Sequence, residues 1–297
     1  MKPQICLGTA QFGLDYGVTN TSGKLLQKTI AKILSEAQKE NISMLDTASA
    51  YGDAEKTIGQ IIGKKNKFKI LSKFPSQKGR IFFEEKDISF WEEEFQKSLI
   101  NLNTKKLDTF FVHDTNDLSK KGNIFLKDWL KSLKTRNLVK RLGVSIYDKD
   151  ELNNLPYEFL EAVQLPLSIY NQKLLLDGTI IELKNQGSSI FLRSLFLQGL
   201  LVSQVSNWPK WIKIKEKKHH DYFCKFAQSQ GYELSELCLD FAKKSHQVEA
   251  IILGFTNNHE LREVCNFWKN DERLIICDYE KWSLSNEAFI DPRNWPS

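Results

Sequence analysis

Eight short apolar segments recur along the chain, and each has the length and the Ile, Leu, Val and Phe content of a buried strand. They are residues 5–7, 43–45, 69–71, 109–112, 140–144, 162–165, 189–192 and 250–253. Between them lie stretches in which apolar residues repeat with the 3.6-residue period of an amphipathic helix. These predicted helices are residues 25–40, 90–102, 126–136, 179–186 and 261–269, with another opening at Asp53 as its N-cap. The alternation predicts parallel strands joined by right-handed helical crossovers.

The number of repeats indicates an α/β protein with a closed (β/α)8 TIM barrel. An open doubly wound sheet normally carries a Gly-x-Gly-x-x-Gly motif after an early strand. That motif is absent, because Gly8 and Gly13 are separated by four residues and no helix pattern follows directly. The longest interval between strands, residues 202–249, contains helical patterns at 222–230 and 234–245. We interpret it as an insertion between strands seven and eight of a single domain spanning residues 1–297.

Composition narrows the functional classes. The 297 residues carry 42 Lys and Arg against 37 Asp and Glu, and the net charge of +5 gives no sign of a nucleic-acid-binding surface. No apolar run approaches the roughly 18 residues of a membrane span, and the apolar start of the chain is too short for a signal peptide. The five cysteines are widely spaced without a Cys-x-x-Cys pair, which disfavours structural zinc. We expect a cytoplasmic monomer or weak homo-oligomer without nucleic-acid or membrane partners.

Four ionisable side chains follow three consecutive predicted strands. Asp46 comes directly after strand two, with Tyr51 five residues further on. Lys73 follows strand three, and His113 follows strand four. Singly, each has an ordinary structural explanation: a helix cap, a packed ring, a surface charge or a satisfied imidazole. Because barrel enzymes gather catalytic groups at the C-terminal ends of their strands, the four together predict one pocket.

These four groups suit the reduction of a carbonyl. The reaction needs a proton donor, and a phenol with an ordinary pKa of about 10 is too weak an acid unless its surroundings tune it. The ammonium of Lys73 would stabilise the phenolate of Tyr51 and lower its pKa, and Asp46 would keep Lys73 charged and oriented. A neutral His113 would hydrogen-bond the carbonyl oxygen and orient the substrate.

Seven motifs, in the same order along the chain, resemble those of the aldo-keto reductases. They are Asp-Thr-Ala-Ser-Ala-Tyr-Gly with Glu-Lys-Thr-Ile-Gly (46–59), Leu-Ser-Lys-Phe (71–74), Phe-Val-His (111–113), Leu-Gly-Val-Ser (142–145), Val-Gln-Leu-Pro-Leu-Ser (163–168), Leu-Phe-Leu-Gln-Gly-Leu-Leu (195–201) and Ile-Leu-Gly-Phe-Thr (252–256). The resemblance covers residues 5–268. It implies a (β/α)8 barrel without a Rossmann unit, which binds NADP(H) in extended form across the C-terminal mouth, and a small-molecule carbonyl substrate.

The resemblance also implies roles for single residues. Tyr51 would be the general acid, tuned by Lys73 and Asp46, and His113 would orient the carbonyl. Ser145 and Gln164 match positions that hold the nicotinamide carboxamide. The other positions implied to bind the cofactor are Thr9 after strand one, Arg193, Ser194, Leu195, Gln198 and Gly199 around the pyrophosphate loop after strand seven, and Gly254, Phe255, Thr256, Asn257 and Glu260 at the adenosine end.

Three departures from the family pattern affect the cofactor site. Ile146 stands where better-known members have Asn, and Arg193 stands where many stack a Tyr on the nicotinamide. A guanidinium is planar and can also lie on a ring, although its charge would disfavour the oxidised cofactor. Gly254 and Glu260 occupy positions where many members place Lys or Arg against the 2′-phosphate of NADP, although His259 and Arg262 are near. NADP(H) is the first expectation, with NAD(H) as the alternative.

The sequence thus predicts an NAD(P)H-dependent oxidoreductase that reduces an aldehyde or ketone, with a sugar-type carbonyl as one candidate substrate. Two alternatives stay open: an NAD-linked sugar or alcohol dehydrogenase, and a nicotinamide-binding regulatory subunit with little turnover. Two aromatic pairs have two interpretations each. Phe82 and Phe83 form either a substrate wall or simple packing, and Trp208 and Trp211 form either a pocket rim or, preferably, the core of the insertion. The neighbouring His219 and His220 diverge on a helix, so no metal site is expected.

Overall fold

The eight predicted strands form a closed barrel in which every parallel strand pairs with its neighbours in chain order. The computed structural model describes residues 2–21, 23–63, 66–153, 155–245, 247–270 and 275–296. The strands are β1 (Gln4–Gly8), β2 (Met44–Asp46), β3 (Lys69–Phe74), β4 (Leu107–Val112), β5 (Val139–Ser145), β6 (Ala162–Pro166), β7 (Ser189–Arg193) and β8 (Ala250–Gly254). Pairing of β1 with β8, from Gln4 with Ala250 to Gly8 with Gly254, closes the barrel. The predicted (β/α)8 architecture is confirmed.

The helices lie outside the barrel, and most predicted ones agree to within a few residues, whereas α8 begins eight residues before the predicted 222–230 and α1, α6 and α11 were not predicted. They are α1 (Ala10–Gly13), α2 (Gln27–Lys39), α3 (Ala54–Ile62), α4 (Asp87–Asn101), α5 (Asn123–Thr135), α6 (Lys173–Leu176), α7 (Thr179–Asn185), α8 (Ile214–Ser229), α9 (Leu234–Lys243), α10 (Asn258–Lys269) and α11 (Glu287–Ile290). Asp53 precedes α3 as expected but makes no side-chain capping bond. Its carboxylate instead pairs with Lys24 Nζ at 3.0 Å, which competes for the same oxygens.

Apolar side chains fill the barrel interior. They are Cys6, Met44, Leu71, Phe111, Ala162, Phe191 and Ala250. The rings of Phe111 and Phe191 meet edge to face, with their centroids 5.8 Å apart. A Cβ at Gly143 would lie 2.3 Å from the carbonyl oxygen of Ala162 and 2.8 Å from the Phe111 ring, so β5 requires glycine there. The filled interior leaves the two ends of the barrel as the places where polar groups can gather.

The N-terminal end of the barrel contains an ion-pair network that we call the lower cluster (Asp108, Arg141 and Glu249). Arg141 Nη2 donates to Asp108 Oδ1 at 2.5 Å, and Nη1 donates to Glu249 Oε2 at 2.9 Å. Nη1 also donates to Ser189 Oγ at 2.8 Å. These bonds tie β4, β5, β7 and the segment before β8 together beneath the apolar interior.

The interval between β7 and β8 contains two helices, α8 and α9, where a regular barrel unit needs one, so the predicted insertion is present. Trp208 packs against His220 and Phe289, with ring centroids 4.5 and 5.5 Å apart. Trp211 packs against Trp295 at 5.4 Å. These contacts join the insertion to the C-terminal segment and support the packing interpretation of both tryptophans. Residue 246, within the predicted insertion, lies outside the described residues.

Candidate functional site

Asp46 and Lys73 meet at the C-terminal end of the barrel. Asp46 is the last residue of β2, and Lys73 lies one residue before the end of β3. Lys73 Nζ donates to both carboxylate oxygens of Asp46, at 2.9 and 2.8 Å, and to the carbonyl oxygen of Thr47 at 2.9 Å. Both side chains are almost fully buried. A buried lysine with three oxygen acceptors is held in one position.

Tyr51 lies beside this ion pair. Lys73 Nζ is 4.9 Å from the centroid of the Tyr51 ring. The loop that carries Tyr51 packs backbone to backbone against α1, because a Cβ at Gly13 would lie 1.8 Å from the carbonyl oxygen of Tyr51. Gly52 has a φ of +57°, and a Cβ there would lie 2.4 Å from the carbonyl oxygen of Gly13. Two glycines therefore allow the loop that carries Tyr51 to pack directly against α1.

Polar residues from four further strands extend this centre. Gln164, in β6, is buried and donates from Nε2 to Asp46 Oδ1 at 2.8 Å. Ser145 pairs with Gln164 in the register of β5 and β6. Thr9, directly after β1, donates its hydroxyl hydrogen to the carbonyl oxygen of Asp46 at 2.9 Å. His113 follows β4, and its backbone N–H donates to the carbonyl oxygen of Phe74 at 3.3 Å.

The loop after β7 has an unusual backbone that faces the loop after β1. Ser194, Leu197 and Gln198 have positive φ angles of 63°, 45° and 53°, and Gly199 has a φ of 96°. Leu195 is buried among the core side chains, so only its backbone can face a ligand. Thr19 Oγ1 donates to the carbonyl oxygen of Gln198 at 3.4 Å. The two loops thus meet at the mouth of the barrel.

The segment after β8 is organised by the carboxylate of Glu260. This carboxylate accepts from the backbone N–H of Thr256 at 2.8 Å and from the Thr256 hydroxyl at 2.5 Å. Asn257 caps α10, since its Oδ1 accepts from the N–H groups of His259 and Glu260, both at 2.9 Å. Phe255 is buried, and a Cβ at Gly254 would lie 2.4 Å from Gln11 Oε1.

Both basic side chains near this segment have carboxylate neighbours. Arg262 Nε donates to Glu36 Oε1 at 2.9 Å, across to α2. His259 Nδ1 lies 3.3 Å from Glu263 Oε2, one turn further along α10. The arginine noted in the sequence is therefore paired within the protein, and Glu260 adds a carboxylate to this segment.

Arg193, the last residue of β7, stacks on a tyrosine that follows β5. Its Cζ lies 3.9 Å from the centroid of the Tyr147 ring, and its Nη2 donates to the carbonyl oxygen of Ile146 at 2.9 Å. Arg293, from the C-terminal segment, lies 3.8 Å from the same centroid. Two guanidinium groups that close to one centroid cannot share a face, so Tyr147 is sandwiched between them.

The sequence matches the model of the aldo/keto reductase family over residues 4–281. The chain belongs to the aldo-keto reductase family. A search of the curated proteins finds no match. Among solved structures, an aldo-keto reductase from Bacillus halodurans in its holo form is similar, with a TM-score of 0.70 and 15% identity over 94% of this chain and 90% of that one. A glycerol dehydrogenase from Gluconobacter oxydans has a TM-score of 0.65 and 19% identity over 93% and 88%.

Burial controls the protonation of the phenol in this aldo-keto reductase. It raises the pKa of Tyr51, while Lys73 lowers it and Asp46 raises it again. The sequence predicts a net lowering by Lys73, but desolvation is the larger effect, so the pKa of Tyr51 lies above its ordinary value. Burial alone would lower the pKa of Lys73, yet Asp46 and Tyr51 outweigh it and raise that pKa. Tyr51 is therefore protonated and Lys73 charged at neutral pH.

His113 is held neutral. Burial, followed by the charges of Lys73 and Arg193, lowers the pKa of His113 to about 3. The imidazole therefore carries one N–H donor and one acceptor nitrogen across the neutral range. This matches the sequence-based expectation of an uncharged imidazole at this position.

Two residues at this end of the barrel were missed from the sequence. Tyr16 lies in the loop after β1 and is about one third exposed, and partial burial followed by the charges of Tyr51 and Tyr147 raises the pKa of its phenol. Tyr147 comes directly after Ile146 and lies two residues beyond the end of the matched motif at 142–145. The signal for Tyr16 was slight, a lone aromatic in the polar loop after β1. For Tyr147 it was the aromatic two residues beyond Ser145.

The remaining sequence hypotheses have simpler outcomes. Phe83 is buried and packs edge to face on Trp91, with centroids 5.1 Å apart, so it belongs to the core, whereas Phe82 is about half exposed. Within the described residues, no group of three or more His, Cys, Asp or Glu side chains is arranged to hold a metal ion. Over the same part of the chain, no helix has the length and apolar content needed to cross a membrane.

Proposed function

We propose that this aldo-keto reductase is a nicotinamide-dependent carbonyl reductase in which Tyr51 is the general acid. Family membership supports oxidoreductase activity on carbonyl compounds. The observation that carries the finer proposal is the buried Lys73, which bonds both oxygens of Asp46 and lies beside the Tyr51 ring. A phenol next to a fixed ammonium can release its proton when a neighbouring oxygen gains negative charge.

In this proposal each residue of the centre has a separate role in carbonyl reduction. The nicotinamide, when bound, supplies the hydride that the carbonyl carbon receives. Tyr51 transfers its phenolic proton to the carbonyl oxygen, so the product is an alcohol and Tyr51 is left as a phenolate. Lys73 stabilises that phenolate, and Asp46 holds Lys73 in place and charged. Neutral His113 donates a hydrogen bond to the carbonyl oxygen and so orients the substrate.

The residues present fit a dinucleotide. Ser145 and Gln164 are buried polar side chains at adjacent strand ends, and over the described residues the Ser145 hydroxyl has no hydrogen-bond partner of its own. We assign both to the carboxamide of the nicotinamide, with Thr9 and Arg193 beside the ring. The positive φ angles after β7 turn backbone groups toward the mouth, where Ser194, Leu195, Gln198 and Gly199 would bind the pyrophosphate. Gly254, Phe255, Thr256, Asn257 and Glu260 would hold the adenosine end.

At the adenosine end, the contacts favour NAD(H) over the NADP(H) that family habit suggests. The donors of Thr256 already bind the Glu260 carboxylate. A 2′-phosphate would meet that carboxylate, while the nearby Arg262 is paired with Glu36. A carboxylate can instead accept a hydrogen bond from a free ribose hydroxyl. We therefore propose NAD(H) as the preferred cofactor.

Cofactor preference is tested by titrating the protein with NADH and NADPH and following its tryptophan fluorescence. We expect tighter binding of NADH, and in Glu260→Gln an affinity for NADPH increased about 5-fold, the scale of an exposed charge interaction. Glu263→Gln removes the same charge from an exposed site on the same helix and should have a smaller effect. Tighter NADPH binding by the parent protein would instead return the choice to NADP(H).

The role of Tyr51 is tested with Tyr51→Phe and a panel of aldehydes and keto-sugars, the latter because a sugar-type carbonyl is the substrate class suggested by the sequence. Turnover should fall at least about 100-fold, the scale of general acid catalysis, while NADH affinity is kept. Tyr222→Phe removes an exposed phenol far from the site and serves as the control. Equal turnover in Tyr51→Phe would exclude Tyr51 as the acid.

The same panel separates the two alternative functions. Cofactor binding without turnover of any carbonyl or alcohol would favour a nicotinamide-binding regulatory subunit. Faster oxidation of sugars or alcohols with NAD than reduction of their carbonyls would favour a dehydrogenase. The contacts of Glu260 support this second candidate, because they favour NAD(H).

A further inference from the structure

At the mouth of the barrel, within the part of the chain that the structure describes, Lys73 is paired with a carboxylate and Arg193 is not. Lys73 takes both oxygens of Asp46, and Asp114, the other carboxylate whose charge reaches His113, is bonded by Ser76 and Asn116. Over the described residues, no carboxylate lies within ion-pair distance of Arg193. A half-buried guanidinium without a counter-charge is costly to keep in a cleft, and it is typical of a site that receives an anion.

The geometry of Arg193 leaves most of its donors available. A guanidinium has five N–H groups in a planar fork. One group, on Nη2, is used by the carbonyl oxygen of Ile146. One face lies on Tyr147 at 3.9 Å, which fixes the plane without using any N–H. The edge of the fork is thus oriented but largely unsatisfied by the protein.

The other guanidinium on Tyr147 is different, because it is neutralised. Arg293 lies 2.7 Å from Asp291 Oδ2 and 3.1 Å from Glu151 Oε1. It backs the ring from the C-terminal segment and has two carboxylate partners of its own. Stacking on Tyr147 therefore fixes the guanidinium of Arg193. Of the two arginines on this ring, Arg193 is the one without a carboxylate partner among the described residues and can pair with a ligand.

Arg193 is also close enough to influence the reacting groups. Its charge contributes to lowering the pKa of His113, after burial and Lys73, and it opposes the rise in the pKa of Tyr51. We take the anion bound to Arg193 to belong to the molecule whose carbonyl reaches the phenol and the imidazole. Tyr147 lies against Arg193 in the same region.

We propose that Arg193 binds an anionic group, a carboxylate or a phosphate, of the carbonyl substrate, so that the protein acts on acidic rather than neutral carbonyl compounds. This inference rests on the proposed carbonyl reduction and adds the class of substrate. Arg193 is then a specificity-determining residue, and Tyr147 and Arg293 are positioning residues that act through it.

The test uses two aldehydes of nearly the same shape, 4-carboxybenzaldehyde and the neutral 4-formylbenzamide. The quantity measured is the ratio of their kcat/KM values, which cancels general losses of activity. We expect the parent protein to prefer the acid by about 10- to 100-fold, the range for hydrogen bonds to charged groups. Arg193→Met should bring the ratio close to one. Arg193→Lys, which keeps the charge without the fork, should retain part of the preference.

Lys78→Met is the matched control, because Lys78 is an exposed cation on the loop after β3 whose charge also reaches His113. Solvent screens an exposed charge, so this variant should keep both the activity and the ratio of the parent. A ratio that falls as far in Lys78→Met as in Arg193→Met would contradict a specific contact and indicate a general field.

Binding measurements separate the anion of the substrate from the phosphates of the dinucleotide. Terephthalate, which has the carboxylate but no carbonyl to reduce, should raise the Tm of the parent protein and not that of Arg193→Met. If Arg193→Met instead weakens NADH binding and leaves the acid-to-amide ratio unchanged, Arg193 serves the cofactor and the inference is wrong. A parent ratio near one with Tyr51-dependent turnover overturns this inference alone, whereas no turnover of either aldehyde rejects the proposed function.

Discussion

Each end of the barrel holds a charged cluster, but the two clusters differ in burial and in the groups that carry the positive charge. At the lower end, Arg141 faces two partly exposed carboxylates, Asp108 and Glu249, and Lys140 lies 3.8 Å from Asp108. At the upper end, one carboxylate, Asp46, faces Lys73, with the phenol of Tyr51 alongside. Arginine stays protonated under all ordinary conditions, whereas a buried lysine and a phenol share a proton balance with their neighbours. The charges of the lower cluster are therefore fixed, whereas the protonation of the upper cluster can respond to a change of charge in the cleft.

The hydrogen bonds show the same contrast. In the lower cluster, the guanidinium of Arg141 links four elements of the barrel through its hydrogen bonds, which is the role of a structural residue. In the upper cluster, Asp46 is bonded by Lys73 and by Gln164, so the carboxylate and the ammonium beside the Tyr51 ring are both held in place. Removing charge from the lower cluster should mainly affect stability, and removing charge from the upper cluster should mainly affect activity.

The largest expected effect is on stability, from Arg141→Met. This change leaves Glu249 without its cation and Asp108 with only the more distant Lys140, so the free energy of unfolding should fall by about 3 kcal/mol, the low end of the range for a broken buried pair. Urea denaturation measures it. The kcat of the protein that remains folded should stay near the parent value, and a parallel loss of kcat at low temperature would show that the two ends are not separate.

The next effect is on activity, from Lys73→Met. The phenolate of Tyr51 would lose its stabilising ammonium, so kcat should fall at least about 100-fold. Because the single change also strands Asp46, the double variant Asp46→Leu with Lys73→Met is the sharper comparison. Replacing a buried ion pair with apolar residues is often neutral for stability. The double variant should therefore fold well and stay inactive; recovery of activity in it would contradict the role given to Lys73.

The smallest effect concerns pH. The buried His220 accepts from the Tyr170 hydroxyl at Nδ1, 2.7 Å away, and donates from Nε2 to the Ser203 carbonyl at 2.8 Å, and burial lowers its pKa to about 4. The unfolded chain takes up this proton near pH 6.5, so stability is full above that value and is lost as pH falls toward 4. The slope should be about 1.4 kcal/mol per pH unit for each such histidine. His113 contributes in the same sense.

The lower cluster should respond in a different pH window. Although burial raises the pKa of Asp108, its bonds with Arg141 lower that pKa overall. Its contribution is therefore present above about pH 4 and lost only at more acidic values. Urea titrations between pH 8 and 3 on the parent and on His220→Asn should separate the two windows. A parent curve that is flat between pH 6.5 and 4 would contradict the buried neutral histidines.

The fold was largely predictable from the sequence, because parallel strands buried on both faces are continuous apolar runs and the helices between them carry clear stripes. The expected meeting of Asp46, Lys73 and Tyr51 followed from the rule that strand ends share one mouth. Contacts made by side chains far apart in sequence were not predictable. The bond from Gln164 to Asp46 and the sandwich of Tyr147 by Arg193 and Arg293 depend on register and on the path of the C-terminal segment.

Competing interactions explain two other differences between the sequence predictions and the structure. Asp53 stands at the right position for a cap, but Lys24 from another loop binds its carboxylate. Tyr51 has a charged neighbour, yet the loss of water around the ring outweighs it. Neither balance can be judged from spacing alone, since both depend on distances that only the folded chain defines.

The contact of Gly13 and Gly52 has a consequence for the evolution of this protein. It packs the loop that carries Tyr51 against α1 through main-chain atoms, so an alanine at either glycine would push that loop away. Residues that line the pocket take no part in this contact and can change toward new substrates without disturbing it. The tolerance of the site to mutation is expected to be very uneven, wide along its walls and almost nil at these two positions.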